Sequence, residues 1–126
     1  MIKVAAALAE SSIDFQHRLG AVITNRKGTI ISSGVNVRKT HPVQARHARF
    51  INPDACFLHA EISALVKCRE KPHTLYVARI LRDGTTALAK PCPICQLAIK
   101  EAEIDTVVYT TGSENKFESI KVINLN

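Results

Sequence analysis

In the stretch "FLHAEISALVKC", Phe57 to Cys68, His59 and Glu61 stand two residues apart with only Ala60 between them. Side chains at that spacing do not face each other on a helix surface. At a helix start they can work together. Every Cα–Cβ bond tilts toward the N-terminus, so both side chains lean into the space beyond the helix end, where unsatisfied N–H groups make the surroundings polar. About thirty residues further on, "PCPIC" sets Cys92 and Cys95 three apart at the start of another expected helix, close enough to grip one ion. A helix N-terminus lowers a thiol pKa and a bound metal lowers it further, so both are expected to bind as thiolates. With His59 they make three ligands of nitrogen and sulfur type, a set that suits zinc and leaves a fourth position for water.

The elements that must position these groups follow from periodicity and punctuation. Ile2, Val4, Ala5, Leu8 and Ala9 fit one face of a helix that ends near Ser12. Two β-type runs, Leu19 to Thr24 and Thr29 to Ser33, flank the turn residues Asn25-Arg26-Lys27-Gly28 and predict an antiparallel hairpin. From Val35 to Leu58 no periodicity persists, and Pro42 and Pro53 interrupt what little there is. A connection of that length inside a compact domain implies a task. After the His59 helix, "TLYVARI" from Thr74 to Ile80 predicts a strand and "RDGTT" a turn; a helix then starts at about Pro93, where the fixed φ suits a first helical position. "DTVVYTT" is a fourth strand, and a fifth runs from about Phe117 to Ile123. Only Gly112 to Lys116 separate these last two, too few for a parallel crossover, so they are expected to be antiparallel. The order α-β-β-α-β-α-β-β predicts an α/β fold with helices on both faces of one five-stranded mixed sheet.

A chain of 126 residues without repeats, low-complexity tracts or a linker predicts a single domain over 1–126. The opening "MIKVAAALAESS" runs out of apolar residues at Glu10, which predicts an N-terminal helix rather than a signal peptide, and a cytoplasmic protein. Four cysteines in that setting point to metal or redox chemistry more than to a disulfide framework. No apolar stretch approaches membrane-spanning length. The net charge of +6 suits anionic partners, nucleotides and nucleic acids alike. With no Trp and no RNA-reading motif, a dedicated single-strand stacking platform is not favoured.

His-x-Glu, a gap, then Pro-Cys-x-x-Cys, each at an expected helix start, is a specific combination. From about Leu19 to Thr111, including "GAVITNRKGTIISSGVN", "HAE" and "KPCPIC", the sequence resembles the cytidine and deoxycytidylate deaminase superfamily. The resemblance implies a three-layer α/β/α sandwich and one catalytic zinc ion on His59, Cys92 and Cys95. It also implies Glu61 as proton shuttle and Asn36, at the end of the second strand, as a substrate contact. Small Ala60 would let a base approach a backbone N–H. A homo-oligomer is implied as well, since such enzymes often complete their pockets across subunits. Two features depart from common patterns. Many relatives have Gly where Glu103 ends the third helix, and a glutamate in a left-handed cap would be strained. The short link before the fifth strand looks like the free-cytidine enzymes, whereas His as first ligand looks like the deoxycytidylate and tRNA-adenosine enzymes.

Other readings of the same residues stand beside these. Cys56 with His59, Cys92 and Cys95 would close a structural zinc site, in a non-catalytic interaction protein, and leave Glu61 without a role. Taken alone, Glu61 is a carboxylate favouring a helix dipole and Asn36 a turn residue. Arg38, Lys39, Arg46 and Arg49 form a basic cluster in the long connection; as a solvated face it does nothing, but Arg46 or Arg49 could touch a substrate phosphate. His41, His47 and Cys56 could hold a second metal. The expected substrate is a cytosine nucleoside or nucleotide, with cytosine or adenine in nucleic acid as the second choice.

Overall fold

The side-chain Oδ1 of Asn25 accepts hydrogen bonds from the backbone N–H groups of Lys27 and Thr29, both at 3.0 Å. This turn pairs β1 (Arg18–Thr24) with β2 (Ile30–Val35) in the expected antiparallel hairpin. The computed structural model describes residues 1–12, 18–49, 51–52, 57–112 and 116–125. On its other side β1 runs antiparallel to β3 (Thr74–Ile80). Beyond β3 two partners share one edge. Arg79 and Ile80 at its end pair with the two-residue β4 (Thr86–Ala87), while Thr74 to Val77 pair in parallel with β5 (Thr106–Thr110). β6 (Phe117–Lys121) closes the sheet antiparallel to β5, giving the order β2-β1-β3-β5-β6.

Alternation along these strands makes two apolar rows. Val22 and Ala78 are buried on one face with Ala5 of α1 (Ile2–Ala9). Ala21, Ile23, Leu75, Val77 and Val107 face the other side, where the core continues into the remaining helices. Those are α2 (Pro42–Ala48), α3 (Ala60–Val66) and α4 (Pro93–Glu101). Ile62, Ile94 and Ile99 fill that core, each fully or almost fully buried, worth about 1.5–3 kcal/mol apiece. The result is the three-layer α/β/α arrangement that the family resemblance implies. No helix among the described residues is long and apolar enough to cross a membrane.

Two glycines set how closely the layers meet. A Cβ at Gly20 would lie 2.6 Å from the Ala9 nitrogen of α1. At Gly34 of β2 it would lie 2.7 Å from the Ala64 nitrogen and 2.8 Å from the Ala60 oxygen of α3. The backbone of α3 therefore rests directly on β2.

The structure departs from the sequence expectation in four places. The sheet gains β4, whose two residues are too few to show a period. The connection after Val35 contains α2, because Pro42 starts a helix at the first position instead of breaking one. Its cap is unusual too: Nδ1 of His41 accepts from the Val43 N–H at 3.1 Å. α1 ends at Ala9, short of Ser12, and the last strand ends at Lys121, short of Ile123, where Val122–Asn124 form a 3-10 turn.

α4 ends as the sequence warns. The Glu103 N–H donates to the Lys100 carbonyl at 3.1 Å and the Ile104 N–H to the Ile99 carbonyl at 3.4 Å, with Glu103 at φ 60°. That left-handed cap costs an L-residue more than it costs glycine. Glu103→Gly is expected to stabilise the fold by about 1 kcal/mol, or about 3–5 °C in thermal midpoint. A calorimetric scan reads this directly, and a lowered midpoint would show that the glutamate side chain contributes more than the strain it carries.

Candidate active site

His59 immediately precedes α3 and Cys92 immediately precedes α4, each in extended backbone as the N-cap, with Cys95 in the first turn of α4. Two helix entries thus converge on one point. Nδ1 of His59 lies 3.3 Å from Sγ of Cys95 and 3.6 Å from Sγ of Cys92. The three donor atoms fall within 4.8 Å of one another, a grouping that occurs once among the described residues. Tetrahedral zinc, with bonds of about 2.0–2.1 Å to nitrogen and about 2.3 Å to sulfur, needs these atoms about 3.6 Å apart. The donor set therefore fits one zinc ion almost as it stands. A hydrogen bond from the Cys95 thiol holds the Cys92 thiol down at about 4 against the opposing effect of burial, with His59 adding to the depression. Cys95, the donor in that pair and itself buried, is pushed well up. Charge resides first on Cys92, and a metal in place deprotonates both sulfurs.

Glu61, in the first turn of α3, is 3% exposed. Burial raises its pKa above the ordinary carboxyl range, offset in part by its own backbone N–H and by His59. Its Oε1 is buried with no hydrogen-bond partner among the described residues. An orphaned buried oxygen costs about 1–3 kcal/mol, so folding alone does not favour it there.

Three side chains that sequence reasoning missed hold the entries in place. Gln44 of α2 is fully buried, and its Oε1 accepts from the backbone N–H of His59 at 3.1 Å. The Thr110 hydroxyl accepts from the Arg79 N–H at 3.1 Å and donates to the Ala87 carbonyl at 2.6 Å, which ties β3, β4 and β5 together just before Cys92. Gln96 donates through Nε2 to the Pro91 carbonyl at 2.9 Å. The signal for Gln44 was present but disguised. The buried face of α2 is Gln44, His47 and Ala48, correctly spaced for a helix but mostly polar.

A cavity of about 380 Å³ opens over these groups, at the carboxyl ends of β2 and β3, where open α/β sheets take ligands. His59, Ala60, Glu61 and Cys92 line it, and Leu19, Leu58 and Ala89 supply apolar wall. Asn36 also lines it. Its Oδ1 accepts from the Leu19 N–H and the Ser12 hydroxyl, both at 2.9 Å, so its carboxamide is oriented by the fold.

The remaining sequence candidates lie elsewhere. Neither Arg46 nor Arg49 lines the cavity. α2 carries Arg46 to the far end of α4, where it pairs with Glu101 at 3.0 Å. From the same basic cluster it is Arg38 that reaches the cavity, joined by Arg79 and Lys90. His41 caps α2, and His47 bonds through Nδ1 to the Val43 carbonyl at 2.9 Å and through Nε2 to Glu101 at 3.0 Å. Both imidazoles are engaged in holding α2. Cys56, required by the closed zinc site and by the second metal site, lies outside the described residues.

Comparison with known proteins agrees with this geometry. The model of one family, described as the cytidine and deoxycytidylate deaminase zinc-binding region, matches residues 1–111. No curated protein matches. Among solved structures, RibD of Acinetobacter baumannii, in its form 2, matches over 87% of this chain with 21% identity and a TM-score of 0.52, a likeness of fold. This chain covers 27% of that one, so it spans about a quarter of its length. With the match running through both helix entries and across most of the sheet, the chain belongs to the cytidine and deoxycytidylate deaminase family and carries that family's zinc-binding region.

Proposed function

We propose that the protein is a zinc-dependent hydrolytic deaminase that converts the cytosine ring of a nucleoside or nucleotide to uracil and releases ammonia. One observation carries this reading: a buried carboxyl with an orphaned oxygen, Glu61, beside a His-Cys-Cys donor set on the floor of a cavity. Zinc bound by His59, Cys92 and Cys95 supplies Lewis acidity that brings the pKa of a water toward neutrality.

Glu61 does the proton work. It takes a proton from the attacking water as the new bond forms at C4, and delivers that proton to ring N3. The second proton of the water then passes through the same carboxyl to the exocyclic amine. The C4–N bond breaks and ammonia leaves, so one water enters for each ammonia released. Burial suits this role, because a carboxylate with a raised pKa is a stronger base and takes the proton of the attacking water more readily. Backbone N–H groups at the starts of α3 and α4 favour the negative charge that develops on the oxygen bonded to C4, and Ala60 keeps the approach to them open. Asn36, held by Leu19 and Ser12, serves as the substrate contact. A homo-oligomer belongs to the same reading and is supported by the family likeness alone.

Cytosine or adenine in nucleic acid is the second reading, favoured by the net charge of +6 and by Phe57, 53% exposed at the cavity rim. A structural zinc in an interaction protein gives Glu61 no reason to be buried at the ion. The test is stoichiometric. Zinc-loaded protein is incubated with cytosine, cytidine, deoxycytidine, their monophosphates, adenosine and short oligonucleotides, and ammonia is measured. One ammonia per uracil product from a cytosine compound is expected; none from any of them would end the deaminase reading.

A further inference from the structure

Gln44 is fully buried, yet only half of its carboxamide is satisfied. Oε1 accepts from the His59 N–H at 3.1 Å, while Nε2 has no hydrogen-bond partner among the described residues. A methionine here would match the volume and remove the orphaned donor, but it would leave the His59 N–H orphaned in its turn. One unpartnered buried group would replace another, so stability alone gives little reason for the amide. What the amide does supply is a fixed acceptor for the backbone of the residue that carries the imidazole.

That acceptor is fastened in turn to the second ligand-bearing helix. One turn further along the buried face of α2, His47 bonds through Nε2 to Glu101 at 3.0 Å, and Arg46 pairs with the other oxygen of the same carboxylate at 3.0 Å. Glu101 is the last residue of α4, the helix that begins with Cys92 as its N-cap and Cys95 in its first turn. At 1.5 Å of rise per residue Glu101 lies about 13 Å along the axis from Cys92, out of reach of an ion held there. α2 therefore ties the start of α3 to the far end of α4. The segment leading into α2 grips the same entry: the Leu58 N–H donates to the Lys39 carbonyl at 2.9 Å, and the Leu58 carbonyl accepts from the Val37 N–H at 3.0 Å.

We propose that α2 is a polar strut that sets the His59 imidazole against Cys92 and Cys95, with Gln44 as the positioning residue and Glu101 as the anchor on α4. The proposal rests on the zinc-binding set and goes beyond the deaminase reading, since it is independent of which substrate the site takes. The imidazole and the two sulfurs arrive on different helices. Apolar packing between those helices is non-directional, whereas zinc needs its donor distances held to within about 0.2 Å. Hydrogen bonds have direction, and α2 carries them from one helix to the other. This also accounts for a buried helix face made of Gln44, His47 and Ala48, where apolar residues would be the ordinary choice.

Zinc affinity, measured by competition with a chelator, tests the strut, together with the visible spectrum of the cobalt(II)-substituted protein, which reports ligand geometry. Gln44→Met is expected to weaken zinc binding about 10–100-fold, the range for losing a group that orients a metal ligand, and to shift the cobalt bands. Glu101→Gln is expected to weaken it about threefold although its side chain is exposed and remote from the ion. Both variants cut one strut, so the double variant should lose no more affinity than Gln44→Met alone. Glu101→Gln carries the test if Gln44→Met does not fold. Unchanged affinity and an unchanged cobalt spectrum in both would overturn the strut and leave the zinc site and the deaminase reading standing. A loss confined to Gln44→Met, or losses that simply add, would overturn it too, because the two positions would then act separately. Coupled losses in a protein that releases no ammonia from any cytosine compound would support the strut and end the deaminase reading. A natural protein that takes up no zinc would overturn strut and site together.

Discussion

Glu61→Gln is expected to keep its zinc and lose turnover by about ten-thousandfold, the upper range for removing a general acid–base group. The substitution preserves shape and one carbonyl oxygen, and no described hydrogen bond of Oε1 is lost because it has none. An uncharged amide is also easier to bury than a carboxyl, so the thermal midpoint should hold or rise slightly. The ammonia assay, read together with zinc content by elemental analysis, separates the outcomes. A variant that keeps its zinc and turns over within tenfold of the natural protein would move proton transfer to another group. One that loses its zinc would show that Glu61 holds the ligands in place.

Cys95→Ala tests the other half of the site and has the largest expected effect on stability. Cys95 is fully buried, so the change removes both a zinc ligand and core volume. One ligand of three carries on the order of 3–5 kcal/mol of apparent zinc binding, so affinity should fall at least a hundredfold. Zinc present at about a thousand times its dissociation constant stabilises the folded chain by about 4 kcal/mol. Losing that linkage should lower the thermal midpoint by roughly 10 °C or more. A chelator should bring the natural protein down by a similar step while barely moving Cys95→Ala. If chelation leaves the natural protein's midpoint where it was, zinc is not part of what holds the two helix entries together.

The zinc donor set of the candidate site was legible in the sequence because each half of it is local. His59, Ala60 and Glu61 sit within one helix entry, and Cys92 and Cys95 within another, so spacing alone implies shared direction. The hairpin, the β3 and β5 strands and the antiparallel last pair were legible for the same reason. What was not legible depends on where the chain returns. Arg46 and Arg49 are near His59 in sequence, but α2 takes Arg46 to Glu101, whereas Arg38, Arg79 and Lys90 meet only because three segments end at one cavity. α2 was hidden because its buried face is polar, and its first residue, Pro42, reads as a breaker when the helix it starts is unknown. Arg79 could have been found. A cation at the third place of the row begun by Leu75 and Val77 breaks the pattern of the strand, and such breaks concentrate at functional positions.

Where Gly34 meets α3, two main chains touch with no spacer between them. A methyl group there would raise the entry that carries the imidazole and the acid, while every reactive atom remained present in the chain. A chemical inventory would find such a protein complete; its fault would be one of tolerance, as in a lock whose pins are all present but cut to the wrong height. The machinery thus extends to a position whose contribution is an atom it lacks.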